Sequence, residues 1–337
     1  MKALVYTAPR KAEYKDWPDP VLEPGEALVR VHAASVCGSD LHGWLGHSRG
    51  RVPPLILGHE VAGEVVEVRD GDAMWQPGAR IAIYPLVGCD QCAYCTSGRD
   101  YLCRRRRLLG MHMAGAFAEY VKAPTKCLYP ISAQLGFTPG ALVEPLACGV
   151  HMAEQAKADC GPFAVLGAGP IGLNAMVAAR HLGFPKTAVV EPNAHRAAAA
   201  RRLGADLTVN PQDPRFQEEL DQFFGEDGCA VVFDAAGFSS TRRLAVKLVR
   251  TGGLIVTAGL GEAETSVDFV EMIRREIRMQ GVFAYSRHDF QAALEWLEGK
   301  QIDLSGWISE APLADGQSIF EDLVSPASTR VKVVLRP

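Results

Sequence analysis

The sequence has no strong excess of charge of either sign: 35 Lys and Arg stand against 39 Asp and Glu, a net charge of −4 at neutral pH. With an isoelectric point near 6.2, no basic field points toward nucleic acid. Nor is there an apolar run fit to cross a bilayer. The longest uncharged stretch, Cys160 to Ala179, is interrupted by Pro162, Pro170 and four glycines, so it reads as a strand, a turn and a helix start. No apolar leader follows Met1-Lys2, and nine cysteines cannot all pair. A disulfide scaffold is therefore not expected, and a reduced cytoplasmic setting is. Repeats and low-complexity tracts are also missing. What remains is a globular chain of 337 residues, 48 % hydrophobic and 22 % charged, enough to bury a core. That length favours about two domains.

The first third reads as short β segments separated by turns. Ala3–Tyr6, Ala27–Val31, Val61–Val68 and Arg80–Tyr84 are candidate strands, with Pro24-Gly25 and Gln76-Pro77-Gly78 as punctuation. The texture changes after Glu144. Phe163–Leu166, Thr187–Val190, Val231–Asp234 and Leu254–Thr257 read as buried strands. Helical stretches at Ile171–Leu182, Arg196–Leu203 and Thr241–Val249 alternate with them. That alternation predicts a parallel sheet covered on both faces. A helix over Phe290–Glu298 and a final strand over Val331–Leu335 complete the chain.

Cys89, Cys92, Cys95 and Cys103 form the pattern C-x-x-C-x-x-C-x7-C. Two-residue gaps let a turn bring successive sulfurs around one ion at roughly 2.3 Å each. The segment has few large apolar residues, so ligation would supply its folding energy. Two disulfides, free thiols or an iron–sulfur cluster are the alternatives; the lack of secretory features favours zinc. With no open position among four thiolates, such a site is structural. The run Arg104–Arg107 beside it reads as a solvated loop. Cys127, Cys148, Cys160 and Cys229 read as packing residues.

A second set is dispersed. Cys37-Gly-Ser39-Asp40-Leu-His42 carries a thiol, a hydroxyl, a carboxylate and an imidazole; Gly58-His59-Glu60 and Glu144-Pro145-Leu146 come later. Together they supply Cys, His and Glu, a donor set that leaves zinc an open position. Farther on, Gly167-Ala-Gly169-Pro170-Ile171-Gly172 is a G-x-G-x-x-G turn between an apolar strand and a helix, with Glu191 ending the next strand. Gly167 allows the tight turn, Gly169 the approach of a pyrophosphate to backbone, and Gly172 close helix–strand packing. Pro170 and Ile171 open the helix whose positive end faces the phosphates. Glu191 can accept from both ribose hydroxyls and repel a 2′-phosphate, which favours NAD over NADP; Arg196 nearby blurs that preference.

In their order along the chain, C-G-S-D-x-H, G-H-E, the four-cysteine lobe, E-P-L and the glycine turn resemble the zinc-dependent medium-chain alcohol and polyol dehydrogenases. The resemblance runs from Met1 to the end. It implies an α/β protein: a Rossmann-type doubly wound parallel-sheet domain plus a mostly β, GroES-like catalytic domain with a structural zinc lobe. The expected divisions are 1–150 for the catalytic domain (lobe 89–103), 151–285 for NAD binding and 286–337 for a segment returning to the first. The resemblance implies two zinc ions per chain. Cys37 and His59 would hold the catalytic ion, with Glu60 as ligand or exchanging neighbour. Glu144 stands where typical alcohol dehydrogenases carry cysteine; this makes it a catalytic-zinc ligand too, with either Glu60 or Glu144 as the resting third one, and points to the sorbitol, threonine and galactitol-phosphate branches. Asp40 would orient His59, and Ser39 and His42 match the family's proton relay, although Glu60 with zinc-bound water could serve instead. His42 could equally be a packing residue.

The same resemblance places Ala258, Leu260 and Phe283 near the nicotinamide. Gly281–Tyr285 is similar to the G-V-F-R-Y segment of sorbitol dehydrogenases, with Ala284 in place of arginine. Lys332 faces the pyrophosphate or lies on a strand edge. Arg49 and Arg51, in a loop expected to line the substrate cleft, bind a phosphorylated polyol or face solvent. The implied reaction is reversible oxidation of a secondary alcohol in a polyol, sugar-derived alcohol or hydroxy-amino acid to a ketone. The implied assembly is a homodimer or homotetramer, with neither nucleic-acid nor membrane partners. Two alternatives stay open: a metal-free quinone-reductase-like enzyme, and a non-enzymatic zinc- and nucleotide-binding interaction protein.

Overall fold

The computed structural model describes residues 1–72 and 74–337. Two compact units divide it: Met1–Pro145 together with Ser286–Pro337, and Leu146–Tyr285. The division at Pro145 falls within the helix Val143–Ala156, which also contains residue 150.

The first unit carries β1 (Lys2–Ala8), β2 (Lys11–Asp16), β3 (Glu26–Ser35), α1 (Gly38–Trp44), β4 (Leu55–Ile56), β5 (Glu60–Arg69) and β6 (Arg80–Ile83). Next come β7 (Leu86–Val87), α2 (Ala93–Thr96), β8 (Arg107–Leu108), β9 (Tyr120–Pro124), β10 (Leu128–Pro130) and α3 (Phe137–Ala141). The second unit takes in most of α4 (Val143–Ala156), then β11 (Phe163–Leu166), α5 (Pro170–His181), β12 (Thr187–Val190), α6 (Ala194–Arg202) and β13 (Leu207–Val209). It continues through α7 (Phe216–Phe224), β14 (Cys229–Asp234), α8 (Ser239–Leu248), β15 (Val249–Thr257), α9 (Phe269–Arg274) and β16 (Arg278–Gly281). The chain then returns to the first unit with α10 (Arg287–Glu298), β17 (Ile308–Pro312), α11 (Gly316–Val324) and β18 (Lys332–Arg336).

In the first unit, a seven-stranded sheet runs β10-β6-β5-β3-β18-β17, with β9 also pairing with β3. Strand register brings three chain segments together. Ser35 of β3 lies opposite both Glu60 of β5 and Val334 of β18, so the end of β3, the start of β5 and the start of β18 meet at one corner. Beneath that corner, Trp44 at the end of α1 packs edge-on against Phe320 of α11 at 5.9 Å, and Phe117 lies 5.8 Å from Phe320. These aromatic contacts fix where α1 ends and therefore where its first turn points.

The second unit is a six-stranded parallel sheet, β13-β12-β11-β14-β15-β16. Its middle strands are buried residue after residue, as a sheet covered on both faces requires. Strand order reverses between β11 and β14, and the glycine turn leaves β11 at that switch point. Gly169 caps α5, Pro170 occupies its first turn, and Arg180 and His181 complement the dipole at its end.

The four-cysteine segment is tied to the body of the first unit through Asp100. Its carboxylate accepts from Tyr84 Oη at 3.0 Å and Arg287 Nε at 2.9 Å, and the Arg287 guanidinium stacks 4.4 Å over the Tyr84 ring. Asp100→Ala is expected to cost about 2 kcal/mol, because it removes the shared acceptor of a tyrosine hydroxyl and a partly shielded arginine. A calorimetric scan showing the first unit melting at the wild-type temperature would contradict this.

Candidate functional site

Three donors converge at the corner where β3, β5 and β18 meet. The Cys37 thiol, the His59 imidazole and the Glu60 carboxylate present ligand atoms that all lie within 4.8 Å of one another. Cys37 is placed by helix capping: its sulfur accepts from Ser39 N at 3.5 Å, and the Asp40 carboxylate returns to accept from Cys37 N at 3.1 Å. His59 immediately precedes β5 and Glu60 opens it, and both are buried.

Asp40 is fully buried and organises the neighbourhood. Its Oδ1 accepts from Gly58 N at 3.3 Å and lies 3.3 Å from His59 Nδ1, close but not aligned as a hydrogen bond. Arg51 Nη2 stands 3.6 Å from the same oxygen. Burial pushes the Asp40 carboxyl up, but the charges of His59 and Arg51 outweigh it and hold the group below its usual range. Burial lowers His59, yet Asp40 and Cys37 overcome this and hold it well above its usual value. The surroundings thus favour an ionised Asp40 beside a ring that keeps its Nδ1 proton.

Lys332 enters the same corner from β18. It is 1 % exposed and donates to Val36 O at 2.9 Å and to Glu60 Oε1 at 2.7 Å. This corrects both sequence expectations: β18 is flanked by β3 and β17, so Lys332 is on no sheet edge, and its ammonium is committed to Glu60. Burial depresses its pKa, but the charges of Glu60, Cys37 and Glu144 raise it overall. Glu144, in the first turn of α4, is buried near enough to act on Lys332 but falls outside the three-donor group.

The donor set passes a test of fit. The Glu60 carboxylate is buried beside a thiol and an imidazole, with the Lys332 ammonium 2.5 Å from Oε2 as its counter-ion. Thiolate, imidazole and carboxylate are the ligands of three-coordinate protein sites that keep a fourth position for water or substrate.

Ser39 is half-buried and His42 exposed, and Ser39 Oγ accepts from Arg51 Nη2 at 3.0 Å. His42 stands edge-on to His47 at 5.2 Å, and desolvation followed by the charges of His47 and Arg51 lowers its pKa. Arg51 itself is buried, so it neither faces solvent nor offers a free fork to a phosphate, while Arg49 is exposed.

The second cluster is also assembled. The sulfurs of Cys89, Cys92, Cys95 and Cys103 lie within 4.8 Å of one another, with Cys89–Cys95 at 3.9 Å and Cys92–Cys95 at 3.6 Å. Four thiolates at tetrahedral corners around zinc stand about 3.8 Å apart. Backbone N–H groups of Gln91 and Cys92 lower Cys89 to about 6, whereas burial lifts Cys95 to about 12. Arg105 donates to Cys89 Sγ at 3.2 Å, so one member of the arginine run is engaged and not merely solvated. Of the remaining cysteines, Cys127 and Cys229 are buried, but Cys160 is exposed, against the packing role expected of it.

In the second unit, Gly167 adopts φ +93°, and a Cβ on Gly172 would meet the Gly167 carbonyl oxygen at 1.9 Å. Space is open above Gly169, where no atom would meet a Cβ within 4 Å. Glu191 is buried, with Oε2 accepting from Ala168 N at 2.7 Å and Oε1 from Asn193 N at 2.8 Å. It lines a cavity of about 710 Å³ together with Gly167, Gly169, Arg196, Phe238 and Arg243. Phe238 and Arg243 carry no motif of their own in the sequence; their position after β14, the strand next to the glycine turn, is the one signal that marks them. Ala258 and Leu260 come after β15 and Phe283 after β16, at the same edge of the sheet as the glycine turn, with Leu260 and Phe283 exposed; none of the three lines this cavity.

Residues 23–133 match the alcohol dehydrogenase GroES-like domain, and residues 170–299 match the zinc-binding dehydrogenase domain. Sorbitol dehydrogenase of Bacillus subtilis strain 168 is 30 % identical over 349 aligned positions, spanning 100 % of this chain and 97 % of that protein. The chain belongs to the zinc-type medium-chain dehydrogenases. L-threonine 3-dehydrogenase of Chelativorans sp. strain BNC1 is 30 % identical over 321 positions, covering 94 % of this chain and 93 % of its own. A solved zinc-binding dehydrogenase from Sinorhizobium meliloti 1021, bound to NADP, superimposes with a TM-score of 0.91 at 30 % identity, covering 100 % of this chain and 99 % of that one.

This medium-chain dehydrogenase is accordingly an alcohol or polyol oxidoreductase that uses zinc and a nicotinamide cofactor, with a GroES-like and a Rossmann-type domain. The metal-free and non-enzymatic alternatives give way to that membership. Gly172→Ala should force the glycine turn open and weaken dinucleotide binding about tenfold, the effect of 1–2 kcal/mol of overpacking. Wild-type affinity in a fluorescence titration would show that the turn tolerates the methyl group.

Proposed function

We propose that this dehydrogenase holds two zinc ions per chain and oxidises a secondary alcohol of a polyol, sugar-derived alcohol or hydroxy-amino acid to a ketone, with NAD as the preferred acceptor. The observation that carries the reading is the convergence of Cys37, His59 and Glu60 beside the buried Lys332. Cys37, His59 and Glu60 would hold one ion, with Glu144 as a further carboxylate nearby, and the four thiolates of the lobe the other.

Bound there, zinc supplies Lewis acidity that makes a substrate hydroxyl acidic near neutral pH. The chain's own residues do the rest. Asp40 fixes the His59 ring through the Nδ1 side, leaving Nε2 as the donor atom. Lys332 balances the Glu60 charge in a place water does not reach. Ser39 Oγ would accept the substrate proton on a lone pair as it releases its own toward His42, which is exposed on α1 and would give a proton to solvent. In the second unit the start of α5 receives the pyrophosphate and Glu191 the ribose hydroxyls. Glu191 is already held by two backbone N–H groups, so its charge is fixed where a 2′-phosphate would lie. Arg196 and Arg243 in the same cavity temper that preference, since a guanidinium there can pair with a 2′-phosphate.

The relatives named for sorbitol and L-threonine support the substrate class. The open edge strand β16 and exposed Phe269, Val270, Ile273 and Met279 support assembly of identical copies through the second unit. The absence of a disulfide among the described cysteines suits the reducing cytoplasm, and no helix among the described residues is long and apolar enough to cross a membrane.

Cys37→Ser is expected to lose one of two zinc equivalents by elemental analysis and to drop turnover about 1,000-fold, several kcal/mol of lost Lewis-acid stabilisation. Retained turnover would overturn the site. For cofactor choice, Glu191→Ala should narrow the NAD-over-NADP ratio of kcat/KM about tenfold, the worth of one charge-assisted hydrogen bond. An unchanged ratio removes Glu191 from ribose recognition. Substrate class is tested by NAD reduction with polyols, polyol phosphates, diols and β-hydroxy amino acids; no reduction with any of them would reject it.

A further inference from the structure

Arg51 neither ligates the metal nor touches the dinucleotide cavity, yet it is among the few charged side chains that are buried. Its stem runs so close over α1 that a Cβ on Gly43 would meet Arg51 Cδ at 2.2 Å. The guanidinium has three neighbours. Nε donates to Gly110 O at 3.2 Å, Nη2 donates to Ser39 Oγ at 3.0 Å, and Nη2 stands 3.6 Å from Asp40 Oδ1. Gly110, at φ +70°, packs on Gly58 so tightly that a Cβ there would lie 2.8 Å from Gly58 N. Gly58 N–H in turn donates to Asp40. Arg51, Gly110, Gly58 and Asp40 thus close a ring around the backbone that precedes His59.

That ring has two chemical consequences. With Nδ1 turned to Asp40 and Nε2 given to a metal, His59 is a neutral imidazole. The Asp40 carboxylate is then a buried anion whose one cationic neighbour across the ring is Arg51. In addition, Ser39 Oγ receives an N–H from Arg51, so its own proton is directed away from the guanidinium and one lone pair remains for a second donor. A rigid fork can meet Gly110 and Ser39 together; a lysine ammonium on a flexible stem cannot hold both.

We propose that Arg51 is a positioning residue of the dehydrogenase reaction: its buried guanidinium neutralises Asp40, so that His59 is held for the metal, and sets the rotamer of the Ser39 hydroxyl that carries the substrate proton. The proposal rests on the reading of Cys37, His59 and Glu60 as the catalytic metal site.

The test uses the full-length enzyme with cobalt(II) in the catalytic site, read by its visible absorption, by the rate of metal loss to a chelator and by steady-state kinetics. Arg51→Met should shift the cobalt bands and speed loss of the catalytic metal about tenfold, as removal of a partner behind a metal ligand does. Adding Asp40→Asn to Arg51→Met should remove that difference, returning the loss rate to that of Asp40→Asn alone. Arg51→Lys keeps the cation and loses the fork: metal retention should stay near wild type while kcat falls about tenfold and KM moves little. Wild-type bands and retention in Arg51→Met, additive losses in the double variant, or full kcat in Arg51→Lys would each overturn the proposal. If Arg51→Met does not fold, the split between retention and kcat in Arg51→Lys decides. A wild-type enzyme that takes up no cobalt sensitive to Cys37→Ser refutes the underlying metal site instead, and so separates the two failures.

Discussion

Lys332 and Glu60 lie against each other with 1 % of either side chain exposed. Breaking such a pair by removing one partner costs about 3–5 kcal/mol, since the remaining charge stays buried without its partner. The pair also constrains topology. The cation comes from the last strand and the anion from β5, and they meet because β3 lies between them in register with both. A shift of β18 by one residue would turn Lys332 to the opposite face of the sheet and leave Glu60 unneutralised. The return of the chain after residue 285 to the first unit is therefore a condition for the site as well as for the fold.

The same charge logic governs the other side of the corner. Asp40 sits in a fully buried position because His59 and Arg51 surround it, and because backbone N–H groups of Cys37 and Gly58 satisfy its oxygens. Two carboxylates and two cations are thus interleaved around one thiol and one imidazole. A corner so dense in charge is poorly suited to stability alone, where apolar packing would do as well or better. It is well suited to holding a divalent ion with one side open. The second unit instead presents a glycine turn, a helix start and one acid held by backbone, with Arg196 and Arg243 lining the same cavity. In general a helix start meets phosphates with aligned N–H groups, whereas a metal needs ligands that are kept ionised.

Local features of the chain were readable without its fold. The four-cysteine lobe, the glycine turn with Glu191 at the end of the next strand, and Cys37 with Asp40 all lie within short spans, and their spacing carries the geometry. Placement of β11, β12 and β14 comes from short, nearly continuous apolar runs, with Gly167 ending the first and Gly228 preceding the last. Roles that depend on a partner far along the chain left no such mark. Lys332 reaches Glu60 over 272 positions, Arg287 reaches Asp100 over 187, and both look like ordinary surface cations on their own segments. Arg51 resembles its exposed neighbour Arg49, because nothing in the run Ser48–Arg51 says that one side chain turns inward beneath α1.

What the sequence by itself determined was which ligands are available and in which local shapes they come, because capping turns, two-residue cysteine gaps and glycine conformations are set by neighbours. What only the tertiary structure decided was which charge neutralises which. Burial and counterion distance are properties of the packed sheet corner, and a charged side chain carries no local sign of whether water or another charge will face it.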